Sequence, residues 1–334
     1  MLTTSRRTLC ALIAALTVAA APAAFAQKAV EFRYGHMNPP NSAAGMQAQW
    51  LADAIAKNTG GGVKVTVYPS SQLGKLQELA EAVSTGTIAL SHNTAGGIGS
   101  LHEPFGALDT PYLYRDVDHL MKVMDVNGPV MKKLNEGLIK SAGVRVLYAY
   151  YFGTRQLTAN KAVMQPSDLA GLKIRAIPFP IYMSAVQGMG AVPVPVDWSE
   201  VPTALATGQV AGQENPVNVV LSSKLYEKQS HMMLTSHIMN AQLIVINDRA
   251  WNALTAAQRE QIARAADEVR KKATDMVKSQ EDDELNQLKT LKMNVIGPAN
   301  GLKVDAFRAA VNKVVQEKFG AKFGDLYKEI AAVR

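Results

Sequence analysis

The sequence predicts an α/β protein with two domains, and three observations support this class. Its 334 residues are more than one compact core usually serves, so two domains are expected. In the N-terminal third, segments of alternating hydrophobicity alternate with segments of helical periodicity. The segment from about 256 to 291 contains no proline and is rich in Ala, Glu, Lys and Gln, which favours a helix or two closely joined helices.

This C-terminal helical segment begins with a capping-box pattern, Thr255-Ala256-Ala257-Gln258. A single helix of about 36 residues would be about 54 Å long at 1.5 Å per residue. That length exceeds one domain of this size, so the helix should lie across both. Two shorter amphipathic segments, 304–318 and 325–333, are predicted to close the chain.

The order of elements in the first domain predicts a parallel sheet with helices on its faces. Strands are predicted at 30–34, 63–68 and 88–91, with helices at about 42–57 and 76–83 between them. In such sheets ligands bind beyond the carboxyl ends of the strands. The loops that follow these strands carry His36, Asn38, His92 and Asn93, which are therefore candidates for the walls of a cleft.

The second half of the chain repeats the mixture of strands and helices. A helix is predicted from Val117 to about Ser141, and a strand over 144–150 leads into the second domain near residue 153. Further strands are expected near 173–176, 191–195, 210–213 and 242–247, with helices around 181–189 and 199–207.

The N-terminus has the pattern of an export signal. Arg6-Arg7 precedes an apolar run over 9–21 and the small-residue site Ala24-Phe25-Ala26, so residues 1–26 are predicted to be cleaved. The twin arginines also allow a twin-arginine signal, so both that route and the Sec route stay open. No later stretch reaches the roughly 20 apolar residues of a membrane helix. The predicted location is the periplasm.

Composition excludes several kinds of chemistry. The only cysteine, Cys10, lies in the predicted signal, so disulfides and thiolate catalysis are not expected in the mature chain. Removing residues 1–26 takes away two arginines and no acidic residue, which lowers the net charge from +7 to +5. These charges form no basic blocks, so nucleic-acid binding is not expected. No phosphate-binding loop, HExxH metal motif or nucleophile elbow occurs, so neither a cofactor nor a metal is predicted.

Three polar positions are predicted to form one anion-binding site. Arg175 ends a strand-like segment, Gly171-Leu172-Lys173-Ile174-Arg175, just before Pro178. A guanidinium there can offer a planar fork of donors to a carboxylate. Arg155 precedes it in Gly153-Thr154-Arg155-Gln156, and Asn215 follows in Gly212-Gln213-Glu214-Asn215-Pro216. The alternative interpretation is that Arg155 and Arg175 are surface arginines, solvated or in salt bridges, that bind no ligand.

Two further residues are weaker candidates from their types alone. Trp198 offers a flat face to an organic ligand, although a partly buried core aromatic is the alternative. His237 is interpreted as a hydrogen-bonded structural histidine near the strand 242–247, and it is also kept as a candidate ligand contact. The acidic run 281–284 on the predicted long helix is interpreted as a solvated face.

Three stretches resemble the solute receptors of tripartite ATP-independent periplasmic (TRAP) transporters, of the DctP and sialic-acid-receptor type. They are Tyr68-Pro69-Ser70-Ser71-Gln72-Leu73-Gly74, the segment 171–175 and the segment 208–216, and the similarity extends over the mature chain. The resemblance implies a two-domain periplasmic binding protein fold with hinged lobes and a long helix spanning both. The domains would be residues 27–152 plus 241–280, and 153–240 plus 281–334.

The resemblance also implies roles for the candidate residues. Arg175 matches the family arginine that binds the ligand carboxylate through two hydrogen bonds, and Arg155 matches a second arginine of several members. Asn215 matches the accompanying amide, and Trp198 the aromatic that lies against the ligand. From the first domain, Asn38 and Asn93 fall at loop positions that touch ligand in relatives.

The function implied is capture of an organic acid and its delivery to the small and large membrane subunits of a permease, without catalysis, by a monomer. Two alternatives stay open: an exported lyase or hydrolase acting on an acidic substrate, and a ligand sensor for a signalling partner. The acid itself is also open, since C4-dicarboxylates, 2-oxo or hydroxy acids, aromatic acids and sugar acids all carry the carboxylate.

Overall fold

The computed structural model describes residues 29–334, so the predicted export signal lies outside the described residues. Within this range nine strands form one mixed sheet: β1 (Val30–Gly35), β2 (Val63–Tyr68), β3 (Leu90–Thr94), β4 (Val144–Ala159), β5 (Lys173–Ala176), β6 (Val192–Pro195), β7 (Gly212–Pro216), β8 (His231–Asn247) and β9 (Asn294–Ile296). The helices of the same range are α1 (Ala43–Asn58), α2 (Leu76–Thr85), α3 (Ala95–Ile98), α4 (Val117–Val123), α5 (Pro129–Ala142), α6 (Pro180–Gly188), α7 (Val201–Ala206), α8 (Val217–Ser222), α9 (Asp248–Asn252), α10 (Ala256–Thr290) and α11 (Val304–Ala332).

The sheet has the order β2-β1-β3-β8-β4-β7-β5-β6, with β9 beside β8. Strand β1 pairs in parallel with β2 and with β3, as the sequence predicts for the first domain. Strand β8 then joins β3 in the antiparallel direction, so the sheet as a whole is mixed. We call the end with β1–β3 the first lobe and the end with β5–β7 the second lobe.

Strands β4 and β8 join the two lobes and are much longer than predicted. They pair antiparallel from Val144 opposite Asn247 to Ala159 opposite His231, with a register shift between Tyr151 and Gly153. The predicted strands 144–150 and 242–247 are therefore wrong in length. Buried polar side chains and a glycine interrupt the apolar pattern where both strands pass between the lobes, so periodicity does not reveal their continuation.

Each lobe has a hydrophobic cluster on both faces of the sheet. In the first lobe, α1 and α10 bury Leu51 and Ile262 on one face, while α2 and α5 bury Leu79 and Leu134 on the other. In the second lobe, Val186 of α6 lies in a cluster with residues of α11. The opposite face is covered by α7 and α8. This layering holds the cleft-facing strand ends in place.

The helix predictions were confirmed in some places and wrong in others. Helix α1 begins after Ser42, whose side chain accepts from the Gly45 N–H at 3.1 Å, as expected of a cap. Helix α10 is one continuous helix with the predicted capping box at its start. The single helix predicted over 117–141 is two, α4 and α5, because Pro129 lacks an N–H and begins a new helix.

The two C-terminal segments form one helix rather than two. Gly320 and Gly324 lie between the two predicted segments and lower the helix propensity there. The stacked rings of Phe319 and Phe323, whose centroids are 5.8 Å apart, pack against the second lobe and hold this part helical. The other strand boundaries shift by a few residues: 88–91, 191–195 and 210–213 are observed as β3, β6 and β7.

Helices α10 and α11 both cross between the lobes. Ile262 of α10 packs in the first lobe, whereas Leu288, near the end of the same helix, packs in the second. Helix α11 starts against the second lobe at Phe307 and ends against the first at Ile330. The predicted assignment of 281–334 to one lobe therefore does not describe the end of α11. Within the described range no helix is both long and apolar enough to cross a membrane.

Candidate ligand-binding cleft

A cleft with an empty volume of about 460 Å³, including its mouth, lies between the lobes at the strand ends. Half of its lining is apolar and comes from Met37, Leu76, Phe152, Ile177, Pro178, Trp198 and Val219. The other half is polar or charged and comes from Asn38, Thr94, Arg155, Arg175, Asp197, Asn215 and Gln242. An apolar wall with a few placed polar groups is typical of a small-molecule site.

Arg175 is the charged group of this cleft without an acidic partner within the described range. It is the third residue of β5 and only 2% exposed. Its Nε atom donates to the Val196 carbonyl at 2.8 Å, and its Nη1 atom is buried without a hydrogen-bond partner among residues 29–334. Burial lowers the pKa of Arg175 to about 10, assisted by the neighbouring Arg155 charge and opposed by Glu214 and Asp197.

Because this pKa is far above neutrality, the Arg175 guanidinium stays charged although it is almost fully buried. A buried charge without a partner is costly, and an anion from outside would remove that cost. The Trp198 ring lies beside it, with its centroid 5.9 Å from the guanidinium carbon. The arrangement fits a carboxylate held by the guanidinium and flanked by an aromatic surface.

Arg155 has a different environment. It lies inside β4, which continues for four more residues to Ala159. Its Nη2 atom donates to Glu214 Oε1 at 2.9 Å and its Nε atom donates to the second oxygen, which gives a buried, bidentate ion pair. Asn215 and Asn240 accept two further hydrogen bonds from it. The charge of Arg155 is therefore already compensated inside the protein.

Glu214 connects this ion pair to His237. The Nε2 atom of His237 lies 3.0 Å from Glu214 Oε2, and its Nδ1 atom lies 2.9 Å from Thr235 Oγ1. Burial by itself would raise the pKa of Glu214, but Arg155 and His237 together lower it to about 2. His237 is fully buried and does not line the cleft, so its placement agrees with the structural interpretation and not with ligand contact.

The amide candidates are divided between the cleft and its support. Asn38 and Asn215 both line the cleft. Asn215 is held by its neighbours, since it accepts from Arg155 and donates to Gln213. Asn93 does not line the cleft: its side chain donates to the Leu76 carbonyl at 2.9 Å. Successive side chains of a strand point to opposite faces, so the adjacent residue of β3 faces the cleft instead.

That adjacent residue is Thr94, and sequence reasoning missed it together with Gln242. The two are directly opposite each other in the β3–β8 pair. Gln242 is 3% exposed, and its Oε1 atom is buried without a partner in the described part of the chain. Neither residue lies at the carboxyl end of a predicted strand, because the predicted strand 88–91 stops before Thr94 and Gln242 begins the predicted strand 242–247. In the structure Thr94 ends β3 and Gln242 lies inside β8.

A salt bridge across the mouth of the cleft was also missed. Lys75, just before α2 in the first lobe, lies 2.7 Å from Asp197 and 3.1 Å from Glu200 in the second lobe. The hydrogen bonds and charges of these two acids raise the pKa of Lys75. More than 120 residues separate the partners along the chain, so no local pattern predicts the contact.

The acidic run on α10 is not a fully solvated face, so that prediction was wrong. Glu281 accepts from the Tyr151 hydroxyl at 3.0 Å and from the Thr154 N–H at 3.2 Å, next to the register shift of β4. Burial raises the pKa of Glu281 and, together with the Glu281 charge, raises that of Glu284 to about 7. No group of three metal-binding side chains occurs within the described range.

Comparison with known proteins identifies the family. Residues 34–322 match the model of the bacterial extracellular solute-binding proteins of family 7, DctP. The chain belongs to this family. Membership confirms the resemblance to TRAP solute receptors and the two-lobed α/β fold that it implies. Members of family 7 are solute-binding receptors for small organic acids that work with TRAP permeases, and not enzymes.

Three family 7 relatives illustrate the similarity. The sialic acid-binding periplasmic protein SiaP of Vibrio cholerae is 29% identical over 96% of this chain and 98% of its own. A TRAP periplasmic solute-binding protein from Polaromonas sp. JS666 bound to D-erythronate is 31% identical, with a TM-score of 0.85 over 91% of this chain and 99% of its own. One from Bordetella bronchiseptica, with density interpreted as pantoate, is 29% identical with a TM-score of 0.84 over the same shares.

Proposed function

We propose that this protein is the periplasmic receptor of a TRAP transporter and captures an organic acid whose carboxylate binds Arg175. The observation that carries the proposal is the buried Arg175 guanidinium, which has no acidic partner within residues 29–334. A cation in this condition is stabilised by an anion that enters the cleft. The names of the three relatives support the proposal, because sialic acid, D-erythronate and pantoate are all carboxylates.

The other candidate residues have separate proposed roles. Trp198 and Asn38 would contact the ligand from opposite lobes, and Asn215 would help to orient it. Arg155 would contact the ligand only through guanidinium N–H groups that do not donate to Glu214, since Glu214 accepts most of its hydrogen bonds. We propose that His237 and Asn93 act as supports behind the cleft wall, because both are fully buried and neither lines it.

The two lobes are proposed to move as units joined by β4 and β8. The boundaries 152/153 and 240/241 are supported by the register shift between Tyr151 and Gly153. Ligand would enter an open form, and closure would bring Lys75 to Asp197 and exclude water, which strengthens the electrostatic contacts. The closed receptor would deliver its ligand, as a monomer, to the small and large membrane subunits of the permease.

An exported enzyme is the second candidate, and a specific observation weighs against it. The one carboxylate that lines the cleft in the described range, Asp197, is paired with Lys75 and so is a poor general base. Incubating the mature protein with the acid that it binds, followed by mass spectrometry, should return the acid unchanged. A new product would instead support the hypothesis that the protein is an enzyme.

The direct test compares binding by Arg175 variants. A charge-assisted hydrogen bond contributes about 1.5–3 kcal/mol, so losing a bidentate pair should weaken binding about 100-fold or more. Candidate acids are first identified by thermal shift of the mature chain, where ligand at 100 times its Kd stabilises by about 2.7 kcal/mol. Calorimetric titration then compares the wild type with Arg175→Ala and Arg175→Lys, which should retain charge but lose the planar fork.

The control variant is Arg264→Ala, which removes an exposed arginine from α10. It should leave both folding and affinity unchanged. If Arg175→Ala binds the acid as tightly as the wild type, the carboxylate is not held by this residue and the proposed site is wrong.

A further inference from the structure

We infer that the ligand is a compact hydroxy monocarboxylate, with one carboxylate at Arg175 and a hydroxyl group at Gln242. This inference rests on the proposed function and narrows it to one class of acid. Two independent features of the cleft support it: the balance of charges around the cavity, and the unsatisfied amide of Gln242 in its lining.

The charges that line the cleft leave room for one anionic group. Arg155 is neutralised by Glu214, and Asp197 is neutralised by Lys75, so Arg175 is the remaining unpaired charge among the described lining residues. One carboxylate balances it. A second carboxylate on the same ligand would be buried without a cation and close to Asp197, which is costly.

Asp109 reinforces this limit from behind the wall. It is fully buried, does not line the cleft, and accepts from the Tyr182 hydroxyl and the Gly96 N–H, both at 2.7 Å. Arg155 is near enough to influence its pKa, which burial raises. A negative charge on Asp109 would lower the net positive charge around the cleft. Asp109 therefore cannot compensate a second carboxylate on the ligand.

The first lobe provides a neutral polar end. Gln242 lies between two cross-strand neighbours, Thr94 on β3 and Tyr150 on β4, and directly opposed side chains share one face of a sheet. The Gln242 Oε1 atom and the Tyr150 hydroxyl are both buried without partners in the described part of the chain. The Thr94 hydroxyl accepts from the Gly97 N–H at 2.9 Å, which leaves its own O–H as a further donor at this end of the cleft.

A ligand hydroxyl is the group that fits this end. It both donates and accepts, so it can satisfy the amide of Gln242 in either orientation of that side chain. Half of the cleft lining is apolar, with Phe152, Ile177 and Val219 among its members. A sugar acid with hydroxyls on every carbon would bury several of them against this wall without partners, which lowers affinity.

Three C4 compounds that differ in charge test the inference by calorimetric titration of the mature wild-type protein. They are 2,4-dihydroxybutanoate with one carboxylate, malate with a second carboxylate in place of the terminal hydroxyl, and 1,2,4-butanetriol with none. We expect the monocarboxylate to bind at least about tenfold more tightly than malate, a difference of about 1.4 kcal/mol, and the triol not to bind.

The role of Gln242 is tested with a second pair of acids. The wild type should prefer 2,4-dihydroxybutanoate over 2-hydroxybutanoate by about fivefold to tenfold, the contribution of one hydrogen bond. Gln242→Leu should remove this preference while keeping the affinity for 2-hydroxybutanoate within a few-fold, a pattern that simple unfolding does not produce. Gln77→Leu, which changes an exposed glutamine on α2, is the matched control and should keep the preference.

The outcomes separate this inference from the proposed function. Malate binding as tightly as the monocarboxylate, an unchanged hydroxyl preference in Gln242→Leu, or no binding of either C4 acid would overturn the inference. The proposed function would survive each of these results if other carboxylates bind and Arg175→Ala abolishes their binding. Tight binding of the uncharged triol would overturn both.

Discussion

Replacing Glu214 by glutamine tests whether the ion pair with Arg155 is a structural element of the cleft. The substitution keeps the size of the side chain but leaves the guanidinium of Arg155, which is 1% exposed, without a counter-charge. Removing one partner of a buried ion pair typically costs about 3–5 kcal/mol of stability. Asn240 and Asn215 still accept hydrogen bonds from Arg155 but carry no charge, so we expect a loss within this range.

The assay is urea-induced unfolding of the ligand-free protein at neutral pH, monitored by circular dichroism. Glu260→Gln, which removes an exposed carboxylate paired with Arg264, is the control and should change stability by less than about 1 kcal/mol. The double variant Arg155→Met, Glu214→Leu should recover much of the loss, because apolar residues of similar volume replace buried ion pairs well. A Glu214→Gln protein as stable as the wild type would refute the reasoning.

The pH dependence provides a second check on the same residue. The pKa of Glu214 is about 2 in the folded protein and ordinarily 4.5. A carboxylate with a lowered folded pKa stabilises the protein above its ordinary pKa, and this contribution is lost as pH falls from 4.5 through 2. The Glu214→Gln protein should therefore lose less stability than the wild type between pH 5 and pH 2.5.

Two further substitutions address the junction between the lobes. The pKa of Glu284 is raised to about 7, so its ionisation lowers stability as pH rises from 4.5 through 7. Glu284→Gln should raise the Tm at pH 8 and leave it nearly unchanged at pH 4, whereas exposed Asp283→Asn should show no such difference. Equal effects of Glu284→Gln at both pH values would contradict this. Gly153→Ala should destabilise by more than about 1 kcal/mol, because Gly153 has a φ of 115° and a Cβ would lie 2.7 Å from Pro216. The control Gly324→Ala, in an open position of α11, should instead stabilise the protein by about 0.5–1 kcal/mol. A Gly153→Ala protein as stable as the wild type would disprove the strain argument.

The sequence singled out Arg175, which lines the cleft, because local chemistry marks it. Arg175 combines a donor-rich side chain with a strand that Pro178 ends, and both properties are readable from neighbouring residues. The long helix was also readable, since its capping box and composition are local features. Helix–strand order likewise determined the parallel pairing of β1, β2 and β3.

What the sequence could not show was which polar groups neutralise one another. Arg155 and Arg175 are the same residue type in comparable stretches, yet Glu214 compensates the first while the second has no acidic partner within residues 29–334. The difference depends on the pairing of β4 with β7, which brings residues about 60 positions apart into contact. No local pattern encodes such a pairing.

For this protein, the sequence alone determined the family, the α/β class and one arginine of the cleft lining, because these depend on periodicity and on residue types within short segments. The tertiary structure alone decided that Thr94 and Gln242 line the cleft, that His237 and Asn93 do not, and that Lys75 bridges its mouth. The physical reason is that burial and charge compensation are sums over neighbours in space, and in this fold most neighbours of the cleft residues are distant along the chain.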